Sequence, residues 1–178
     1  EAGIEGAVRF LQRVWRLVFR WQTAAAVGSP SDAGIARALR QKTHQTIKRV
    51  GDSFESLQFN TPVAALMELS NSIGDIDAEA ADEDTKAAVH EALTALVLML
   101  TPFAPHAAEE LYAVLTGNGA GMIAQSARFP EFNAELAKAD EIEIAVQVNG
   151  KLRSRLMASP DATNEQLEEM AFQDAKVR

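Results

Sequence analysis

The stretch Val89-His-Glu-Ala-Leu-Thr-Ala-Leu-Val-Leu-Met-Leu100, followed by Thr101-Pro-Phe-Ala-Pro105, decides the fold. Val89, Leu93, Leu96, Val97 and Leu100 recur at helical spacing while Leu98 and Met99 fill the other side, so this helix is apolar nearly all round. Such a helix needs neighbours on every side. Its apolar run, Ala95 to Leu100, is far shorter than the ~20 residues that span a bilayer, so the neighbours must be other parts of the chain. The two prolines break it, and Pro105 suits the first turn of a following helix through Leu111, Tyr112, Val114 and Leu115.

Upstream, Asp75, Asp77, Glu79, Asp82, Glu83 and Asp84 form an acidic loop whose last members sit where a helix N-terminus favours negative charge. Before it, Thr61 is placed to cap a helix that opens at Pro62 and turns Val63, Leu66, Met67, Ser70 and Ile73 inward. Earlier still, Ile35, Leu39, Ile47, Val50 and Phe54 mark the buried stripe of a helix that Ser31 or Asp32 can cap. The first helix carries Leu11, Val14, Trp15 and Val18 on its inner side and ends at Gly28-Ser29-Pro30. Five helices with short connections make a mainly α chain built on an antiparallel five-helix bundle.

Downstream the texture changes. Gly117, Gly119 and Gly121 mark a helix stop and a loop, Arg128-Phe-Pro-Glu-Phe132 is irregular, and Asn133 to Asp140 reads as a short helical or extended linker. The apolar period then becomes two: Ile142, Ile144, Val146 and Val148, then Asn149-Gly150, then Leu152, Leu156 and Ala158. A two-residue turn there would mix the two faces. A three-residue loop with Gly150 at positive φ keeps Val and Ile beside Leu and sends Gln147, Arg153 and Arg155 to the other face. Pro160 ends the strand, and Thr163 to Ala171 reads as a helix with Leu167 and Met170 inward. The expected organisation is a helical bundle at 1–132, a linker at 133–140 and a small α/β unit, a β-hairpin with one helix, at 141–178. A unit of that size rarely folds alone, which suggests a truncated second domain.

The chain has 178 residues, 47% of them hydrophobic, no cysteine and a formal charge of −8. Disulfides and thiolate metal sites are excluded, which fits a reducing compartment. Acidic Glu1 and Glu5 replace the basic start of a signal peptide, and with no membrane span the expectation is a cytoplasmic monomer. The net charge conceals a division: residues 1–50 hold nine Lys/Arg against three acids, and the remainder eight against twenty-two. That asymmetry points to one end facing a polyanion.

The basic residues are ordered. Arg9, Arg13, Arg16 and Arg20 fall on one narrow face of the first helix, and Arg37, Arg40, His44 and Lys48 repeat the pattern on the second. A solvated edge whose stems cover apolar neighbours is the plain account of one such row, and two parallel rows are harder to assign to solvation alone. Other motifs carry less. His106-Ala-Ala-Glu-Glu110 lacks the second histidine of a zinc helix, and the glycine loop follows a helix where phosphate cradles follow a strand. No nucleophile is paired with a base, so no catalytic site is expected.

Five segments then occur in order: Gly3-Ile-Glu-Gly-Ala-Val-Arg-Phe-Leu-Gln-Arg-Val-Trp-Arg-Leu-Val18, Thr43-His-Gln-Thr-Ile-Lys48, Phe59-Asn-Thr-Pro-Val-Ala-Ala-Leu-Met-Glu-Leu-Ser-Asn71, Pro102-Phe-Ala-Pro-His-Ala-Ala-Glu-Glu-Leu111 and Val146-Gln-Val-Asn-Gly-Lys151. Together they resemble the carboxy-terminal part of bacterial leucyl-tRNA synthetases over nearly the whole chain. Tyr112 and Phe129 stand where that family usually has Trp. The resemblance implies a class I anticodon-binding bundle followed by the start of a small C-terminal domain. It also implies a parent enzyme that uses ATP and Mg to join leucine to its tRNA and edits mischarged products. The His-Ile-Gly-His-like and Lys-Met-Ser-Lys-Ser-like signatures are absent from this sequence, so the chain by itself is expected to form no aminoacyl-adenylate and to need no cofactor. Its implied partners are leucine tRNA and the catalytic domain of the parent chain. Candidate RNA contacts are Arg9, Arg13, Arg16, Arg20, Arg37, Arg40 and Lys48, with Lys151, Arg153 and Arg155 on the hairpin as a second group. Two alternatives stand beside this: the bundle of a valine- or isoleucine-specific relative, or a protein-interaction bundle whose arginines, Arg13 and Arg16 above all, face a catalytic domain and not RNA.

Overall fold

The structure, a computed structural model, describes residues 2–22, 30, 33–58, 60–117, 122–138, 142–148, 151–158 and 162–174. It is mainly helical, with one two-stranded antiparallel sheet. Its elements are α1 (Ala2–Trp21), α2 (Gly34–Glu55), α3 (Asn60–Gly74), α4 (Glu83–Leu100), α5 (Pro105–Thr116), α6 (Met122–Gln125), α7 (Ala134–Ala137), β1 (Ile142–Val148), β2 (Lys151–Ala158) and α8 (Asn164–Gln173). The chain divides into two compact units, Glu1–Ala137 and Lys138–Arg178.

In the first unit α4 packs against α1, α2, α3 and α5, as its all-round apolar surface requires. Val89, Leu93, Leu96, Val97 and Met99 are fully buried. Asp82 caps α4 by accepting the Thr85 N–H at 2.8 Å, with Glu83 and Asp84 in the first turn. Hydrogen bonding from the Thr85 side chain, and then from its N–H, holds the Asp82 carboxyl below the usual range. Around α4 close Leu39, Ile47 and Val50 of α2, Leu66, Leu69 and Ile73 of α3, and Leu111 of α5. Gly117, at φ +68°, terminates α5 in the left-handed region. The proposed caps Ser31 and Asp32, the Gly28-Ser29 end of the first helix, and Gly119 and Gly121 lie outside the described residues.

Three expectations are corrected. Trp15, placed inward by its apolar neighbours, is 42% exposed, because the buried sector of α1 is formed by Phe10, Val14, Leu17, Val18 and Trp21. Ile35, at the first turn of α2, is 60% exposed. Helix α3 starts at Asn60, one residue ahead of the expected cap Thr61.

In the second unit the hairpin solves the face-mixing problem by another route. Val148 pairs with Lys151 and Gln147 with Leu152, leaving only the two residues Asn149 and Gly150 between the strands, outside the described residues. The register then shifts between Val146 and Gln147, and Val146 pairs with Ser154, Ile144 with Leu156 and Ile142 with Ala158. A β-bulge that leaves Arg153 unpaired thus restores the phase that a three-residue loop would have supplied. Thr163 caps α8 through a reciprocal box with Gln166. Leu167 and Met170 are half-buried, as their spacing predicts.

Candidate nucleic-acid interface

Helix α1 presents three sectors. Phe10, Val14, Leu17, Val18 and Trp21 are buried. Arg9, Arg13, Arg16 and Arg20 are all exposed and share a sector of about 60°, extending along about 16 Å of helix. Among the described residues none of these four guanidiniums has an ion-pair or hydrogen-bond partner. The third sector, roughly a third of a turn away, is apolar yet open: Ile4 is 71% exposed, Val8 47%, Trp15 and Phe19 42% each. The Trp15 and Phe19 rings stack with centroids 5.8 Å apart.

The second row is used differently. Arg37 Nη1 donates to the Leu136 carbonyl at 2.7 Å and Nη2 to that of Glu135 at 3.4 Å, while Gln45 Nε2 donates to the Ala137 carbonyl at 3.1 Å. These are the C-terminal carbonyls of α7, which a helix of that length cannot satisfy itself. Asn133 caps the other end, its Oδ1 accepting from Glu135 N and Leu136 N at 3.0 and 3.2 Å. The Asn133 N–H donates to His44 Nδ1 at 3.3 Å. An accepting Nδ1 leaves the hydrogen on Nε2, which faces Glu91 Oε1 at 3.2 Å. Arg40 completes the group: Nε donates to Glu91 Oε2 at 3.0 Å, Nη1 to the Pro30 carbonyl at 3.3 Å, and the side chain is 15% exposed. Burial pushes the Glu91 carboxyl up, but the His44 hydrogen bond and the Arg40 charge outweigh it and leave the group below its usual range. Further along α2, Phe129 meets the Phe54 ring edge-on at 6.3 Å. Residues 129–137 therefore form a strap laid on α2, and Arg37 and Arg40 are engaged inside the unit.

Lys48 is exposed and pairs with Asp52 one turn away at 2.6 Å, a contact worth little in water. Lys42 and Arg49 both reach Glu68, at 2.8 and 3.0 Å, and hold its carboxyl below the usual range. Arg153 and Arg155 on β2 are exposed, and the side chain of Lys151 lies outside the described residues. Glu109, from the zinc-like motif, accepts the Ile123 and Ala124 N–H groups at 3.2 and 2.9 Å and so caps α6. Among the described residues no group of three or more His, Cys, Asp or Glu is placed to hold a metal ion, and no helix is long and apolar enough to cross a membrane.

Between α1 and α3 runs a shallow groove of about 320 Å³, with Arg13, Arg16 and Arg20 on one wall and Asn71 and Asp75 on the other. The arginine row was legible as a helical period. The groove was not, because nothing local in the sequence tells which helix lies beside the arginines.

A family model described as the anticodon-binding domain of tRNA ligase matches residues 36–170. The chain is 40% identical to the leucine--tRNA ligase of a Geobacter species, over 100% of this chain and 22% of that protein. It is 42% identical to that of Vibrio campbellii, over 99% of this chain and 20% of that protein. Among solved structures, the ternary complex of Agrobacterium radiobacter LeuRS with tRNA and LeuAMS matches with a TM-score of 0.78 at 27% identity, over 99% of this chain and 22% of that chain. The chain spans about a fifth of the length of the relatives it matches.

Proposed function

The chain belongs to the anticodon-binding domain family of tRNA ligases, and from that premise we propose that it is the tRNA-docking part of a leucine--tRNA ligase. The two units then correspond to an antiparallel five-helix bundle of the class I type and part of a small C-terminal domain. The observation that carries the docking role is the α1 row: four exposed guanidiniums with no partner among the described residues. Arrays of this kind gain affinity for RNA chiefly by releasing counterions from the phosphates, and they fix position more than they read bases. The acidic remainder confines the RNA to this face. Arg9, Arg13, Arg16 and Arg20 are therefore the principal contacts, with Lys48, Lys151, Arg153 and Arg155 secondary. Arg37 and Arg40 contribute by holding the unit together.

Leucine activation with ATP and Mg, transfer and editing belong to portions of the parent enzyme outside this chain. The open stripe Ile4, Val8, Trp15 and Phe19 favours a second role for α1, as a seat for the catalytic portion of the parent, because four apolar side chains in line suit a protein surface better than a phosphate backbone. The two roles use different sectors of one helix and are compatible. A titration of leucine tRNA at two salt concentrations tests the docking role. Salt-sensitive binding that weakens on Arg13→Glu and Arg16→Glu is expected, and variants that bind as tightly as the unmodified chain at both salt concentrations would remove it.

A further inference from the structure

We propose that the groove between α1 and α3 holds one ribose–phosphate unit of RNA, the phosphate against Arg13, Arg16 and Arg20 and the ribose 2′-hydroxyl against Asn71 and Asp75. This rests on the docking role argued above and adds a discriminating function to it. The groove has two chemically different walls. On the α1 side stand three guanidiniums; on the α3 side stand an amide and a carboxylate, both exposed. Opposite charges facing each other would ordinarily close into ion pairs, yet among the described residues neither Asp75 nor any of the three arginines is paired. Asp75 is held at the end of α3 by its own N–H, which donates to the Asn71 carbonyl at 3.0 Å. Space remains between the walls for about ten water molecules.

A ligand that satisfies both walls must be anionic on one side and a hydrogen-bond donor on the other. A bare phosphate or an acidic peptide satisfies the arginines and is repelled by Asp75. A ribonucleotide backbone carries both features, since its 2′-hydroxyl can donate to the carboxylate and also accept from the Asn71 amide. DNA lacks that group, and the 2′-hydroxyl is what allows a protein to tell the two apart at a given position. The groove is therefore a reader of sugar identity set beside a charge row that is itself indifferent to it.

The test uses the full chain and two leucine tRNA transcripts, one ordinary and one made with 2′-fluoro nucleotides, which keep the A-form helix and remove the donor. The unmodified protein is expected to prefer the ordinary transcript by about tenfold or more, the lower end of the worth of one hydrogen bond to a charged group. The double variant Asn71→Ala, Asp75→Ala should bring that ratio near one, and Arg13→Gln should weaken both transcripts equally. Retention of the tenfold ratio by the double variant, or its absence from the unmodified protein, overturns the groove assignment while the docking role stands. If the unmodified protein binds neither transcript, both fall.

Discussion

Removing two of the four α1 guanidiniums gives the sharpest measure of the docking role. Each phosphate neutralised contributes roughly −0.9 to the slope of log affinity against log salt on a duplex, so four contacts contribute about −3.6. Between 50 and 200 mM salt, that share alone weakens binding about 150-fold. The variant Arg13→Ala, Arg20→Ala should retain about −1.8 from the row, or about a 12-fold loss over the same range. Because both side chains are exposed and unpaired among the described residues, folding should be unaffected, which circular dichroism can confirm. Arg40→Gln is the control: its guanidinium is tied to Glu91 and the Pro30 carbonyl, so the slope should not change. The measurement is a fluorescence titration of leucine tRNA at four or five salt concentrations. A double variant with an unaltered slope would show that the row does not meet phosphate.

Other outcomes follow from the same contacts. Leu93→Ala, at the fully buried centre of α4, should cost ~2–5 kcal/mol in urea unfolding, the range for a cavity left by a buried leucine. Glu91→Gln should cost on the order of 1–3 kcal/mol at pH 7, less than for a fully buried pair because Glu91 is partly solvated. Since the folded state holds that carboxyl low, its contribution is complete above the usual carboxylate range and disappears as pH falls through the lowered value. The stability gap between native and Glu91→Gln proteins must therefore narrow on acidification; a constant gap would contradict the assignment. Arg37→Ala with Gln45→Ala should free the α7 carbonyls and speed trypsin cleavage after Lys138 by about tenfold or more, for ~1.4 kcal/mol or more of local stability lost. An unchanged cleavage rate would show that α7 is held by something else.

What the sequence disclosed and what it concealed divide along physical lines. Helix α4 was legible because a helix apolar on all sides has one solution, and the structure encloses it on four. The hairpin was legible in its faces, while the turn was not, since a bulge at Arg153 and a longer loop correct the same phase error and the apolar pattern cannot choose between them. Trp15 misled because size and hydrophobicity count equally whether a stripe meets this core or an outside surface. The row of Arg37 and Arg40 was ambiguous for a related reason. A periodic row of cations marks one face of a helix, but whether that face meets RNA, main-chain carbonyls or a carboxylate from α4 depends on contacts far apart in the chain.

The strap on α2 is gripped through its main-chain oxygens. Peptide carbonyls are the same whatever residue bears them, so Glu135, Leu136 and Ala137 can drift in identity while the grip persists. The helix doing the gripping has no such latitude, because only a long side chain with correctly aimed N–H groups will serve at Arg37 and Gln45. Saturation mutagenesis of both segments should accordingly return an inverted map, permissive along the held peptide and strict along its holder.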